Sequence, residues 1–140
     1  MSLVFSHIAL NCRDPLATER FYVRHFGFRR ARVIPLGAEQ IVFIKSGSMY
    51  LELFQAKGDP PGPALEKDGP GYRGVRHFAF QVNDVDAKLA DMGADAAVTL
   101  GPLDFGAFIS GWRTVWLADP DGNIVEISQG YTDQDNPPQM

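Results

Sequence analysis

The sequence predicts an α+β fold built from two βαβββ modules. Three observations carry the prediction. A helix follows one alternating run and precedes three strand candidates, and this order occurs twice. The chemistry-bearing residues repeat with it: His7 and His77 lie 70 residues apart, Asp14 and Asp84 also 70, and Glu52 and Glu126 lie 74 apart. Residues 57–74, dense in proline and glycine, separate the two halves and stop both helix and strand.

The first half opens with Leu3 to Asn11, which alternates as a strand. His7, Ala9 and Asn11 share one face, Ile8 and Leu10 the other. Asp14-Pro15 is an N-cap followed by proline at the first helical position. The helix should run to about His25, with Gly27 as its C-terminal cap. Strands are expected at Arg29 to Ile34, Gln40 to Lys45 and Met49 to Gln55, with Ser46-Gly47-Ser48 turning the last pair. In the second half, Val75 to Val82 is the strand, with His77, Ala79 and Gln81 on one face. Asp84 caps a helix through Leu89 to Met92, closed by Gly93. Strands follow at Ala96 to Leu100, Trp112 to Ala118 and Ile124 to Gln129. Asp119-Pro120-Asp121-Gly122 is the last turn.

Size and charge narrow the function. At 140 residues and 45% hydrophobic, the chain is expected to form one domain over 1–130. Its modules are 3–56 and 75–129, its linker 57–74, and 131–140 a flexible tail. Modules of this size are marginal alone and should share an interface. A net charge of −4 without a basic run argues against nucleic acid. No apolar stretch approaches the roughly 18 residues that span a bilayer. The N-terminus lacks a basic, then apolar, leader, and one cysteine, Cys12, forms no internal disulfide. The expected setting is the cytoplasm.

His7, Glu52, His77 and Glu126 are the candidate metal ligands. Each histidine lies on the first strand of its module and each glutamate on the last. Apolar neighbours surround both glutamates: Leu51 and Leu53, Val125 and Ile127. A carboxylate there is costly unless paired or coordinated to a cation. A lone histidine on a strand is usually structural, and a lone buried glutamate usually meets an arginine, for which Arg76 and Arg113 are available. Repetition of all four at matching positions favours a metal. His25 has no counterpart in the second half and reads as structural. Nothing marks Cys12 as a nucleophile.

Beyond these four, His7-Ile8-Ala9-Leu10, Asp14, Phe21-Tyr22 and Leu51-Glu52-Leu53 form one pattern. Gly74-Val75-Arg76-His77-Phe78-Ala79-Phe80 and the run Asp119 to Ile127 form its repeat. Over residues 3–130 the chain resembles the vicinal oxygen chelate superfamily of glyoxalases, bleomycin-resistance proteins and dioxygenases. The resemblance implies an open, glyoxalase-like barrel around a divalent metal. The order His, Glu, His, Glu looks most like bacterial glyoxalase I, which implies His7, Glu52, His77 and Glu126 as ligands. Nickel, cobalt or zinc suit such a donor set best, with iron or manganese as alternatives.

The implied activity is a lyase or isomerase reaction by proton transfer on a small substrate with two neighbouring oxygens. Glu126 is the first choice for the base and Glu52 the second. Asn11 stands where glutathione-using members carry arginine, so the resemblance does not extend to glutathione. Asn11, Tyr50, Phe54 and Trp112 are the expected substrate contacts. Two other readings stay open. One is an extradiol-type Fe(II) dioxygenase using His7, His77 and Glu126. The other is a non-catalytic drug-binding protein of the bleomycin-resistance type, its cavity walled by Phe5, Tyr50, Phe54, Phe105, Phe108, Trp112 and Trp116. The expected partners are a small-molecule substrate and a second copy of the chain, since exposed sheet edges favour a homodimer.

Overall fold

The computed structural model describes residues 1–140. The fold is α+β, with two open, four-stranded mixed sheets. The chain divides into two compact units: residues 1–64 with 119–123, and residues 65–118 with 124–140.

In the first unit, β1 (His7–Cys12), α1 (Pro15–Phe26), β2 (Arg29–Leu36), β3 (Glu39–Ser46) and β4 (Met49–Gln55) follow one another. The sheet order is β1-β4-β3-β2, with β1 parallel to β4 and the other pairs antiparallel. Asp14 caps α1, its carboxylate accepting from the Leu16 N–H, and Gly27 closes the helix at a φ of 69°. One face of the sheet is core: Leu10, Cys12, Val42, Ile44, Leu51 and Leu53 are buried. Tyr22 and His25 of α1 are buried as well. The other face carries His7, which is exposed, and Tyr50 and Glu52, which are half-buried. The glutamate strand is therefore closed on one face and partly open on the other.

The first strand is shorter than expected. Leu3 to Ser6 lie outside it and are exposed, because β4 begins at Met49 and gives them no edge. The Ser6 carbonyl accepts from the Tyr50 N–H at 3.2 Å.

The second unit contains β5 (Phe78–Gln81), α2 (Val85–Met92), a 3₁₀ turn (Gly93–Asp95), β6 (Ala97–Asp104), β7 (Arg113–Ala118) and β8 (Ile124–Gln129). Its order, β5-β8-β7-β6, repeats the first sheet. Asp84 caps α2 through the Ala87 N–H at 2.9 Å. Val85, Met92, Val115, Leu117, Val125 and Ile127 form the core. β5 also starts late, at Phe78, so His77 immediately precedes the strand. The 3₁₀ turn was not foreseen, and β6 runs four residues further than predicted, to Asp104.

A buried polar knot ties the turn Asp119–Asn123 into the first unit. The Tyr22 hydroxyl donates to Asp119 at 2.7 Å, and the Thr18 hydroxyl and Arg13 N–H donate to Asp121 at 2.5 and 2.7 Å. Burial pushes the Asp119 carboxyl above the ordinary range, although hydrogen bonds from Asn123, Tyr22 and Asp121 pull it down. The same burial pushes the Cys12 thiol up to about 12, which leaves it a thiol rather than a nucleophilic thiolate at neutral pH.

This thiol has a consequence for stability in alkali. Its folded-state pKa lies above that of the unfolded chain, so the folded protein holds a proton that the unfolded one releases. The contribution is fully present below the unfolded value, near 8.5, and is lost as pH rises toward 12. It amounts to about 5 kcal/mol across that window. Urea unfolding from pH 8 to 11 should show falling stability, and Cys12→Ala should flatten the part below the tyrosine range. An unchanged slope in that variant would refute the assignment.

Candidate metal and substrate site

The structure brings the four expected ligands together two by two. In the first unit, His7 Nε2 lies 3.4 Å from Glu52 Oε1. In the second, His77 Nε2 lies 3.0 Å from Glu126 Oε1. No group of three or more His, Cys, Asp and Glu side chains is placed to hold a metal ion together. Strand register explains each pair. Ala9 is opposite Glu52 and Ala79 is opposite Glu126 in the parallel ladders, so the residue two positions earlier shares the glutamate's face. A small alanine at each crossing leaves room for the imidazole to reach the carboxylate.

Neither glutamate is held by arginine. Arg76 pairs with Asp68 at 3.1 Å and Arg113 with Asp86 at 2.9 Å. The side chains of Glu52 and Glu126 are 17% and 15% exposed, open enough to meet a ligand and closed enough to gain from one.

Contacts at Nδ1 orient both histidine rings. His77 Nδ1 lies 2.6 Å from the Asp68 carbonyl. A carbonyl only accepts, so Nδ1 donates to Asp68, and Nε2 is the nitrogen that faces Glu126. His7 Nδ1 meets the Ser6 hydroxyl at 2.9 Å, leaving Nε2 toward Glu52. A fixed tautomer of this kind is what a metal-binding imidazole requires. Each unit thus presents one imidazole nitrogen and one carboxylate oxygen, donor types that suit a borderline divalent cation.

Asp68 was not foreseen as part of the site. It lies in the stretch read as a linker, and two features hold that stretch in place. The Thr99 hydroxyl donates to the Lys67 carbonyl at 2.6 Å. Gly69, at a φ of 112°, packs so near Arg76 that a Cβ would collide with its carbonyl. The Arg76 guanidinium also holds the Asp68 carboxyl below its usual range.

The expected substrate contacts divide between the units. Tyr50 is opposite His7, and Phe54 is opposite Asn11 one turn of the pleat further on. Asn11 lines a cleft of ≈ 440 Å³ with Arg13, Gln55 and Asp59. Trp112 lines a recess of ≈ 230 Å³ with Glu126, Gln81, Ser128 and Tyr131. Its indole N–H donates to the Ser128 hydroxyl at 3.2 Å, and its ring meets Tyr131 edge-on at 6.1 Å. Phe105 stands behind it, 5.0 Å between ring centres. Gln81, Ser128 and Tyr131 were missed as site residues. Alternation on β5 and β8 could have found the first two, since both share a face with Glu126. Of the proposed aromatic wall, Phe5 and Phe108 are exposed, while Trp116 is buried with its ring edge-on to His77.

Comparison with known proteins places this arrangement. Residues 4–127 match the model of the Glyoxalase/Bleomycin resistance protein/Dioxygenase superfamily, and the chain belongs to that family. It is 27% identical over 124 residues to the uncharacterized protein YwkD of Bacillus subtilis (strain 168), covering 86% of this chain and 92% of that one. A glyoxalase family protein from Enterococcus faecalis has the same fold, with a TM-score of 0.69 and 27% identity, over 89% of this chain and 96% of that one. Lactoylglutathione lyase from Agrobacterium tumefaciens is 28% identical at a TM-score of 0.58, over 91% and 93%.

Proposed function

We propose that the protein is a divalent-metal-dependent lyase or isomerase of the glyoxalase type. It moves a proton on a small substrate that presents two neighbouring oxygens. His7, Glu52, His77 and Glu126 hold the metal, with nickel, cobalt or zinc the best match to the donors. The observation that carries this reading is the pair of matched His–Glu contacts, with the His77 tautomer set by the Asp68 carbonyl. When bound, the cation stabilises negative charge on the substrate oxygens.

The chain supplies the rest. Glu126 is the base, because its carboxylate lines the recess beside Trp112, where a ligand can reach it. Trp112, Tyr131 and Phe105 exclude water from one side of that recess. Glu52 stays against His7. The similarity to a lactoylglutathione lyase supports the reaction class. Glutathione is not proposed as part of the substrate, because Asn11 offers an amide where a fixed cation would be needed for its carboxylates. No helix is long and apolar enough to cross a membrane, and the reading takes the protein as a cytoplasmic homodimer.

Dialysis against Ni²⁺, Co²⁺ or Zn²⁺ followed by metal analysis tests the proposal. Retained, stoichiometric metal is expected, and Glu52→Gln should weaken it by at least about tenfold. Protein that retains no metal sinks the idea. A dioxygenase with a His7, His77 and Glu126 triad predicts instead that Glu52→Gln leaves iron binding and oxygen uptake unchanged. The aromatic recess also suits a non-catalytic binding protein, for which ligand affinity is indifferent to chelator.

A further inference from the structure

The face that carries His7 and Glu52 also carries cations with no carboxylate partner. Residues 20–38 contain five arginines and no Asp or Glu. Arg30 is opposite Ile44 on the helix side, and Glu19 holds it at two points, 2.5 and 2.6 Å. Arg29 and Arg32 face the other way. Arg29 is opposite Lys45 and Arg32 opposite Phe43; Lys45 is opposite Tyr50 and Phe43 opposite Glu52. Tyr50 is in turn opposite His7.

Two rows therefore cross the sheet on the site face. One reads Arg29, Lys45, Tyr50, His7, and the other Arg32, Phe43, Glu52, Ala9. Contacts confirm the shared face: His7 meets the Phe43 ring edge-on at 6.2 Å, and Lys45 Nζ lies 5.0 Å from the centre of the Tyr50 ring. The ammonium thus leans along its row toward His7.

Like charges directly opposite in an antiparallel pair are destabilising. Arg29 and Lys45 are such a pair, and no acid lies between them. β2 is an edge strand, and charged side chains blunt edges against aggregation. That accounts for exposed Arg29 and Arg32. It does not account for Lys45, half-buried on the inner strand β3, whose ammonium has the Tyr50 ring beside it but no carboxylate.

We infer that Lys45, Arg32 and Arg29 bind an anionic group, a carboxylate or a phosphate, at the far end of the substrate. The inference rests on the proposed function for the reacting end and adds the charge of the other end. Adjacent strands lie about 4.8 Å apart, so the Arg32 backbone is roughly 10 Å from that of Glu52. A substrate of a few bonds, together with the arginine side chain, spans that gap. A guanidinium fork beside an ammonium matches an oxyanion in both geometry and charge.

Two titrations test this. In the first, inorganic phosphate and succinate are added separately to metal-free protein, and the NMR signals of Lys45 and Arg32 are followed. Saturable shifts are expected, weakened by added salt and absent from the double variant Lys45→Gln, Arg32→Gln. Whichever anion binds more tightly identifies the group. In the second, metal-loaded protein is titrated with acetohydroxamate and with the monohydroxamate of succinate, chelators that differ by one remote carboxylate. The charged one should bind at least about tenfold more tightly. The double variant should bind the two equally while keeping its metal content and melting temperature.

Equal affinities in the wild type, or a preference that survives the double variant, overturn the inference. So does a variant that loses solubility alone, which assigns the cations to edge protection. If metal-loaded protein binds neither hydroxamate, the proposed function fails, and the phosphate and succinate titrations decide the anion site alone.

Discussion

Replacing Glu126 with glutamine is expected to cut proton exchange at the substrate carbon by about 10²- to 10⁴-fold, the range set by losing a positioned base. The amide keeps the shape of the side chain, so the fold and the recess beside Trp112 should survive. Hydrogen–deuterium exchange into a bound vicinal-oxygen substrate, followed by NMR, gives the readout. Glu52→Gln serves as the comparison. Glu52 contacts His7 at 3.4 Å and lines neither the recess nor the cleft described above, so its loss should act on metal retention. A variant series in which Glu52→Gln stops exchange while Glu126→Gln retains metal and turnover would reverse the two roles. If neither substitution changes ligand binding and no exchange is seen in the wild type, the protein is a binding module.

The candidate ligands were legible in the sequence as residue types on predicted strands, because strand alternation is a strong rule. Alternation put His7 on a face with Ala9 and Asn11 and Glu126 on a face with Ser128, and β4 and β8 have the predicted bounds; which histidine meets which glutamate came from the register. What was not legible depended on pairing partners. The late starts of β1 and β5 follow from where β4 and β8 begin, which no local pattern reports. The Asp68 carbonyl is a backbone group, invisible to a search for reactive side chains. Gly69 is the residue that allows its approach, and proline and glycine around it read only as a break. The cation rows were equally hidden. Five arginines in one stretch are a composition; register is what sends Arg30 to Glu19 and turns Arg29 and Arg32 toward the site. Arg76 and Arg113, plausible partners for the glutamates on type alone, are taken by Asp68 and Asp86.

Asp119→Ala should be the most destabilising single substitution proposed for this chain, at about 3 kcal/mol or more. Asp119 is buried, and four donors end on its carboxylate. The Tyr22 hydroxyl and the Asn123 side-chain amide reach one oxygen at 2.7 and 2.9 Å. The Asp121 and Asn123 N–H groups reach the other at 2.8 and 3.0 Å. Alanine removes the acceptor for all four at once. The Tyr22 side chain has no exposed surface, so its hydroxyl cannot turn to water instead. A donor left buried without an acceptor costs about 1–3 kcal/mol. Tyr22→Phe removes only that donor and should cost about 1 kcal/mol. The double variant should therefore lose less than the two single losses combined, because the stranded hydroxyl is gone. Asp119→Asn sharpens the argument: every neighbour here donates, so an amide N–H would face donors and the substitution should hurt nearly as much as alanine. Urea unfolding at pH 7 measures all four proteins. An Asp119→Asn variant as stable as the wild type would show that the knot tolerates a donor at this position, and that the carboxylate is not what anchors the turn.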